Sequence, residues 1–304
     1  GDFTDKIDDY MKDGGLLKRE DLSNYEVIER TPLKTDFNGK TIITNPMPSP
    51  GGTLIAFALK IISHKFPGEK IDNRLLTLGM RLAQIARNEI ISEKNRTNSL
   101  SEILSPSYFN RYLDLFDYEM SLKLDKEKPG SGSTTHMSII DSQGNAASVT
   151  TTNGEGCGYI IPGTGIMMNN MLGEDDINPD GFHNWETTKR MSTMMSPTIV
   201  IGDSGPELVL GSGGSNRIRS AIKQVILNKF TNNMNLEEAI KAPRIHLEEN
   251  IIHCEPGINT DKLNFPWSTI HYWHEKNLFF GGVNAVTPTN AVGDPRRSGY
   301  GLVC

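Results

Sequence analysis

The sequence has 304 residues and a formal net charge of −6, with 37% hydrophobic and 22% charged residues. This composition is typical of a globular chain with enough apolar side chains for a core, and it excludes a disordered or fibrous protein. The mild acidity argues against nucleic acid as a partner, because neutralising phosphates needs clustered Lys and Arg. Three widely spaced cysteines exclude a disulfide scaffold and a Cys-x-x-Cys zinc site.

The printed sequence contains no run of about 18 apolar residues, so it predicts no membrane-spanning helix. It opens with no signal peptide, and its first residue is Gly1 rather than Met. We therefore expect the printed chain to be a processed product or a part of a longer one. The sequence does not indicate a cellular location.

The first third of the chain is predicted to be rich in helices. The predicted elements are, in chain order, a helix with Phe3, Ile7 and Met11 on one face, a strand at 41–44, and helices from Thr53 and over 72–92. The Pro- and Gly-rich segment 45–52 is predicted to be irregular, because proline and glycine interrupt regular hydrogen bonding.

The composition of the sequence changes after the helix-rich first third of the chain. Residues 121–133 are charged and then rich in Pro, Gly and Ser, which predicts an exposed, flexible segment where the chain is easily cut. Alternating apolar and polar residues beyond it predict β-hairpins and two helices. The hairpin strands are expected at 135–141 with 146–152 and at 198–201 with 208–210, and the helices at 217–230 and 236–241.

Three motifs resemble functional sites only weakly. Residues 202–206 have some likeness to a serine-protease nucleophile region, but their place between two strands favours a hairpin turn. His271 and His274 have no third ligand at metal-site spacing, so no metal is predicted. The glycine-rich stretch 211–214 lacks the Lys of a phosphate-binding loop, although a backbone-lined anion site before the helix stays open. We expect no cofactor.

Thr134 is the strongest candidate for chemistry, because it ends the flexible tract and begins a predicted strand. A threonine hydroxyl is a weak nucleophile unless a base lies next to it. The α-amine of an N-terminal threonine, with a pKa near about 8, can serve as that base. This chemistry requires a cut just before Thr134. The alternative is a surface threonine at the start of a strand.

Six motifs in chain order resemble those of the γ-glutamyltransferase (γ-glutamyl transpeptidase) family of N-terminal-nucleophile hydrolases. They are PSPGG at 48–52, GSTTHMSIIDSQGNA at 132–146, PGTGIMMNN at 162–170, MSPTIV at 195–200, GSGGSNRI at 211–218 and DPRR at 294–297. The second motif resembles the family's processing site, and GSGGSNRI resembles its oxyanion turn.

The resemblance implies the fold and the organisation of the chain. The fold is expected to be α+β, an αββα four-layer sandwich with two stacked antiparallel sheets. Residues 134–304 resemble a whole small subunit, and residues 1–133 resemble the later, helix-rich part of a large subunit. The family's earlier half, which supplies an arginine for the substrate's α-carboxylate, has no counterpart here. Both segments are expected to share one globular fold.

The resemblance also implies a role for each reacting residue. Thr134 is expected to attack the carbonyl of Ser133, cutting the chain between them, and then to attack a γ-glutamyl amide. Thr152, eighteen residues on, is expected to orient the Thr134 hydroxyl. Gly213 and Gly214 are expected to supply backbone N–H donors to the oxyanion of the tetrahedral intermediate.

Substrate contacts are implied less directly, because the sequence departs from well-known members. The candidates for the substrate's α-amino and α-carboxylate groups are Asn153, Glu155, Glu174, Asp175 and Thr193. Met171 and Met194 stand where those members have polar residues. Neither methionine can replace a polar contact.

The resemblance implies the partners: a small γ-glutamyl substrate such as glutathione, and water or an amine as acceptor. After cleavage the two pieces are expected to form a heterodimer, with higher oligomers open. Two alternatives remain. One is an amidase of the same fold that resembles cephalosporin acylases, which the two methionines favour. The other is a catalytically silent relative with a binding or structural role.

Overall fold

The structure is a computed structural model that describes residues 3–92, 102–118, 134–174, 177–178, 181–185 and 189–304. The whole of the predicted flexible segment 121–133, with Ser133 at its end, therefore lies outside the described residues. The candidate substrate residue Asp175 lies outside them too.

Helices and strands follow the predicted order. The helices are α1 Thr4–Met11, α2 Arg19–Ser23, α3 Pro50–Lys65, α4 Asn73–Ser92, α5 Pro106–Tyr118, α6 Arg217–Phe230 and α7 Leu236–Lys241. The strands are β1 Leu33–Phe37, β2 Lys40–Thr44, β3 Thr134–Ile140, β4 Ala146–Thr152, β5 Thr198–Gly202, β6 Gly205–Gly213, β7 Ile245–Glu248, β8 Ile251–Cys254, β9 Thr269–Tyr272, β10 Gly282–Thr287 and β11 Asn290–Val292.

The largest sheet has six antiparallel strands in the order β1-β2-β5-β6-β10-β11. Strand β2 pairs with β5, with Thr44 opposite Thr198, so the sheet joins residues from both sides of position 133. The predicted hairpin of β5 and β6 is confirmed, and a short turn joins its strands. One continuous sheet therefore unites the segments 1–133 and 134–304.

The hairpin of β3 and β4 forms a second, two-stranded antiparallel sheet. It stacks on β6 and β10 of the six-stranded sheet. Its inner face carries small polar side chains, and one of them, Ser148, donates a hydrogen bond to the Leu210 carbonyl at 3.1 Å. Its outer face carries Met137, Ile139 and Val149, which are 54%, 48% and 43% exposed. The expected stacked antiparallel sheets are confirmed.

Helices cover the other face of the six-stranded sheet. Helix α6 packs on β6 and β10, and α3 packs on β1, β2 and α6. Their buried faces supply the core; Leu54, Phe57, Ile222 and Val225 are at most 1% exposed. The predicted helical stripes thus face the sheet, which is where burial of apolar surface stabilises them.

Helix α3 begins at Pro50, three residues earlier than the predicted start at Thr53. The prediction that 45–52 is irregular is therefore wrong for its last three residues. Proline is tolerated at the first helical position, because its missing N–H has no partner there. Gly51 is required by close packing, since a Cβ on it would lie 2.4 Å from the Met194 carbonyl oxygen.

A third sheet, β7-β8-β9, packs beside α4 and α6. Its strands place His246, His253 and His271 in one cross-strand row. His253 and His271 have ring centroids 5.3 Å apart. Within the described residues, no helix combines the length and the apolar character that crossing a membrane requires.

Candidate active site

The hydroxyl pair at the open end of the hairpin is the centre of the site. Thr134 begins β3 and lies directly opposite Thr152, the last residue of β4. The Thr134 Oγ1 hydroxyl donates to Thr152 Oγ1 at 3.1 Å, and Thr152 Oγ1 also accepts from the Gly154 N–H at 3.0 Å. The second hydroxyl is therefore held from two sides, which fixes the direction of the first.

A glycine turn of the six-stranded sheet lies under the Thr134 backbone. A Cβ on Gly213 would come 2.1 Å from the Thr134 carbonyl oxygen, so only glycine allows this approach. Gly214 has φ +119°, and a Cβ there would come 2.9 Å from the Cα of Gly281. The turn therefore depends on glycine at both positions.

A helix N-terminus and a cationic side chain lie beside this turn. Helix α6 begins at Arg217, and the Arg217 N–H donates to the Gly214 carbonyl at 3.0 Å. The Arg297 guanidinium lies 3.3 Å from where a Gly214 Cβ would be. Burial and the charge of Arg217 lower the pKa of Arg297. A helix N-terminus and a half-buried cation beside a turn would both favour negative charge developing there.

His136 is a residue of the site to which sequence reasoning gave no role. It lies two residues beyond Thr134 on the inner face of β3 and is 4% exposed. Burial lowers its pKa to about 4, so the imidazole is neutral at physiological pH. The signal that could have found it is its period-two spacing from Thr134.

The loop after Thr152 brings three candidate substrate residues together. The Asn153 carbonyl accepts from the N–H groups of Gly156, at 2.9 Å, and of Asn170, at 3.1 Å. The Glu155 N–H donates to Asn170 Oδ1 at 2.7 Å, and the Glu155 side chain is exposed. A Cβ on Gly154 would lie 2.8 Å from Glu174 Oε1, so Asn153, Glu155 and Glu174 lie close together beside the end of β4, next to the threonine pair.

Thr193 is joined to a different part of the chain. Its Oγ1 accepts from the Met195 N–H at 3.2 Å, and its carbonyl accepts from Ser49 Oγ at 2.7 Å. The neighbouring Met194 is 2% exposed and belongs to the hydrophobic core. A methionine at 194 therefore packs in the core rather than lining a polar pocket.

Among the described residues, no group of three His, Cys, Asp or Glu side chains has a geometry that could hold a metal ion. In the row of His246, His253 and His271, the Trp273 indole N–H donates to His253 Nδ1 at 3.3 Å. The groups gathered at the hairpin are hydroxyls, glycine backbone and carboxylates. Such groups suit acyl transfer through an oxygen nucleophile.

Stacked antiparallel sheets with helices on the outer face give the chain the fold of the N-terminal-nucleophile hydrolases. The family profile described as Gamma-glutamyltranspeptidase matches residues 1–304, and the chain belongs to this family.

Two kinds of curated relative are similar to this chain in sequence. The chain is 30% identical over 318 residues to a protein of Bacillus subtilis (strain 168) named Glutathione hydrolase proenzyme, covering 94% of this chain and 54% of the relative. It is 30% identical over 264 residues to Acylase ACY 1 proenzyme of Pseudomonas sp. (strain SE83), covering 83% of this chain and 47% of the relative. The chain thus spans about half the length of the curated relatives it matches.

Among solved structures, a cephalosporin acylase from Bacillus halodurans superposes with a TM-score of 0.79 at 21% identity. The superposition covers 99% of this chain and 58% of that one. At this identity the likeness establishes the fold alone.

Proposed function

We propose that the protein is an autoprocessing γ-glutamyl transferase or hydrolase that acts on glutathione-like γ-glutamyl amides through a Thr134 acyl-enzyme. The observation that carries this proposal is the Thr134 Oγ1–Thr152 Oγ1 contact of 3.1 Å directly above Gly213. Membership of the family and the relatives named glutathione hydrolase proenzyme support it.

Maturation would begin with attack of Thr134 Oγ1 on the carbonyl carbon of Ser133. The C–N bond breaks as an ester forms, and the freed nitrogen becomes the α-amine of Thr134. Water then hydrolyses the ester, which leaves a carboxylate on Ser133 and restores the hydroxyl. The product is a threonine whose own amine serves as its base.

In turnover, the Thr134 hydroxyl would attack the γ-glutamyl amide carbon while its α-amine takes the proton. The N–H groups of the Gly213–Gly214 turn would stabilise the oxyanion, and the proton would then leave with the departing amine. Water or an acceptor amine would release the γ-glutamyl group. Asn153, Glu155 and Glu174, which lie beside the threonine pair, would bind the substrate's α-amino group.

The two pieces produced by this cut would stay together as a heterodimer. Strands β2 and β5 pair across the cut in one sheet, and α3 packs on α6. Separating the pieces would expose the core faces of both helices, which is unfavourable.

A second candidate is an amidase with another acyl preference. The relative named Acylase ACY 1 proenzyme has the same 30% identity as the glutathione hydrolase relative. The core position of Met194 favours this candidate, because that side chain offers no polar contact to a γ-glutamyl α-carboxylate.

The maturation proposal is tested by mass spectrometry of the intact purified protein. We expect two fragments from a cut between Ser133 and Thr134, and a single uncut chain from Thr134→Ala. The matched control is Thr135→Ala, because Thr135 is the adjacent threonine and is exposed. Wild-type protein that stays uncut, or Thr134→Ala protein that is cut at the same bond, would rule the proposal out.

Substrate class is tested by comparing γ-glutamyl and glutaryl anilides, which differ only in the α-amino group. We expect the γ-glutamyl anilide to be turned over faster, because the carboxylates of Glu155 and Glu174 near the threonine pair would attract that amine. Faster release from the glutaryl anilide would favour the acylase candidate instead.

A further inference from the structure

The ring of His136 connects both strands of the hairpin and, through Ser138, strand β10. His136 Nδ1 lies 2.8 Å from Thr150 Oγ1 on the facing strand, and His136 Nε2 lies 2.8 Å from Ser138 Oγ on its own strand. Ser138 Oγ in turn donates to the Asn284 carbonyl of β10 at 3.3 Å. A neutral imidazole has one donor and one acceptor nitrogen, and a hydroxyl can complement either of them.

Two glycines of β6 pack against the inner face of β3. Gly213 lies against Thr134, and Gly211 lies against His136, two residues away on each strand. A Cβ on Gly211 would come 2.3 Å from both Cε1 and Nδ1 of the ring. The imidazole therefore fills the space that a side chain at 211 would need, and its thickness sets the gap between β3 and β6.

The backbone of His136 is tied to the same sheet. Its carbonyl accepts from Asn284 Nδ2 at 2.9 Å, and Asn284 Oδ1 accepts from the Asp294 N–H at 3.2 Å. The ring and the carbonyl thus anchor β3 two residues from Thr134. A strand residue two positions away lies about 7 Å along the chain, close enough for an anchored backbone to fix the next inward side chain.

We propose that His136 is a positioning residue whose ring spaces the β3–β4 hairpin from β6 and so holds the Thr134 hydroxyl over the Gly213 turn. This inference rests on the proposed function, because it assigns His136 a part in the same reaction. His136 gives and takes no proton from the substrate. It acts only by holding Thr134 in position.

Replacement of the ring tests this role first. His136→Leu keeps an apolar volume but loses both hydrogen bonds, and we expect kcat and the rate of self-cleavage to fall about 100-fold, as a misplacement of about 1 Å can cause. KM should stay within about twofold. His136→Asn keeps a group that can reach Thr150, and we expect it to recover about tenfold of the lost rate.

A matched control separates positioning from general stability. His253 is a half-buried histidine whose pKa is lowered to about 4 by burial and by His271, and it lies on β8, in a different sheet from the hairpin. We expect His253→Leu to lower the unfolding temperature without changing kcat. If both leucine variants lose kcat in proportion to their stability, the positioning role is wrong.

A double-mutant cycle tests the spacer directly. Gly211→Ala should lower kcat in the wild type, because its Cβ collides with the ring. In a His136→Ala background the same change should have little effect, because the ring is gone. Additive losses would overturn the inference.

A crystal structure of His136→Leu gives a readout that does not need turnover. We expect the distance from the Thr134 carbonyl oxygen to the Gly213 Cα to change by about 1 Å. An unchanged distance together with unchanged kcat would refute the positioning role while leaving the proposed function intact. Wild-type protein without self-cleavage would refute the proposed function. The variant structure would still show whether the His136 ring sets the distance between β3 and β6.

Discussion

Gly213 of strand β6 lies so close to Thr134 that a Cβ on it would come 2.1 Å from the threonine's carbonyl oxygen. The two residues belong to different sheets, and the contact fixes how the hairpin sits on the six-stranded sheet. The same approach puts a backbone turn beside the hydroxyl pair. The absence of a side chain at 213 is thus a structural requirement of the site.

Gly213→Ala should therefore disable the site while the rest of the sheet forms. The added methyl group must push Thr134 away from the turn, so self-cleavage and kcat should each fall about 100-fold to 1,000-fold, the size expected when an oxyanion donor is lost. Mass spectrometry for the cut and single-turnover kinetics for the acyl-enzyme would measure the two effects.

The matched control for that change is Gly173→Ala. Gly173 lies in the neighbouring loop, and a Cβ there would meet its nearest neighbour, Asn170 Nδ2, at 4.0 Å. We expect this variant to keep wild-type rates. Equal losses in the two variants would mean that the proximity of Gly213 to Thr134 carries no function.

Local patterns explain how much of the fold and site could be predicted. Alternation and turn residues placed the hairpin, and its register puts Thr134 opposite Thr152. The stretch 211–214 before a helix indicated a backbone-lined turn. The start of α3 at Pro50 was missed, because the packing of Gly51 against Met194 is a tertiary contact that no local pattern contains.

Period-two spacing can place His136 on the same face of β3 as Thr134, but the contacts that give it a role could not be found from sequence, for a similar reason. The partners of its ring nitrogens, Thr150 and Ser138, lie in the same hairpin, but the glycine beneath the ring lies 75 residues away on another sheet. The buried pair of Arg244 and Asp294 likewise joins residues 50 positions apart. Contacts of this kind depend on the stacking of sheets, which periodicity alone does not fix.

Histidines whose pKa is lowered in the folded chain should make the protein sensitive to mild acid. Burial lowers the pKa of His136 and His253 to about 4, and burial with the charge of Arg217 lowers that of His246 well below its usual value. The unfolded chain takes up these protons near pH 6.5, whereas the folded chain does not. Stability is therefore full above about pH 6.5 and falls toward pH 4, by up to about 1.4 kcal/mol per pH unit for each histidine.

Urea unfolding at intervals between pH 7.5 and 4.5 would measure this slope. We expect His253→Asn to reduce the pH dependence of the free energy of unfolding by the contribution of one histidine. A free energy of unfolding that stays constant from pH 7 to pH 5 would contradict the prediction.

The buried ion pair of Asp294 and Arg244 should support both the fold and the Gly213–Gly214 turn. Asp294 Oδ2 accepts from Arg244 Nη2 at 2.5 Å and from the Val283 N–H at 2.9 Å, and both charged side chains are at most 2% exposed. Arg244 Nη1 also donates to the Gly281 carbonyl at 3.2 Å, and Gly281 lies against Gly214. Loss of the Asp294 charge would therefore disturb the residue on which the turn rests.

Asp294→Asn should cost about 3–5 kcal/mol of unfolding free energy, because it leaves Arg244 buried without its countercharge. We also expect kcat of the folded fraction to fall, since Gly281 would shift beneath Gly214. The control is Glu237→Gln, which breaks an exposed pair with Lys241 and should leave the free energy of unfolding close to the wild-type value. If Asp294→Asn were as stable and active as the control, the pair would support neither the fold nor the turn.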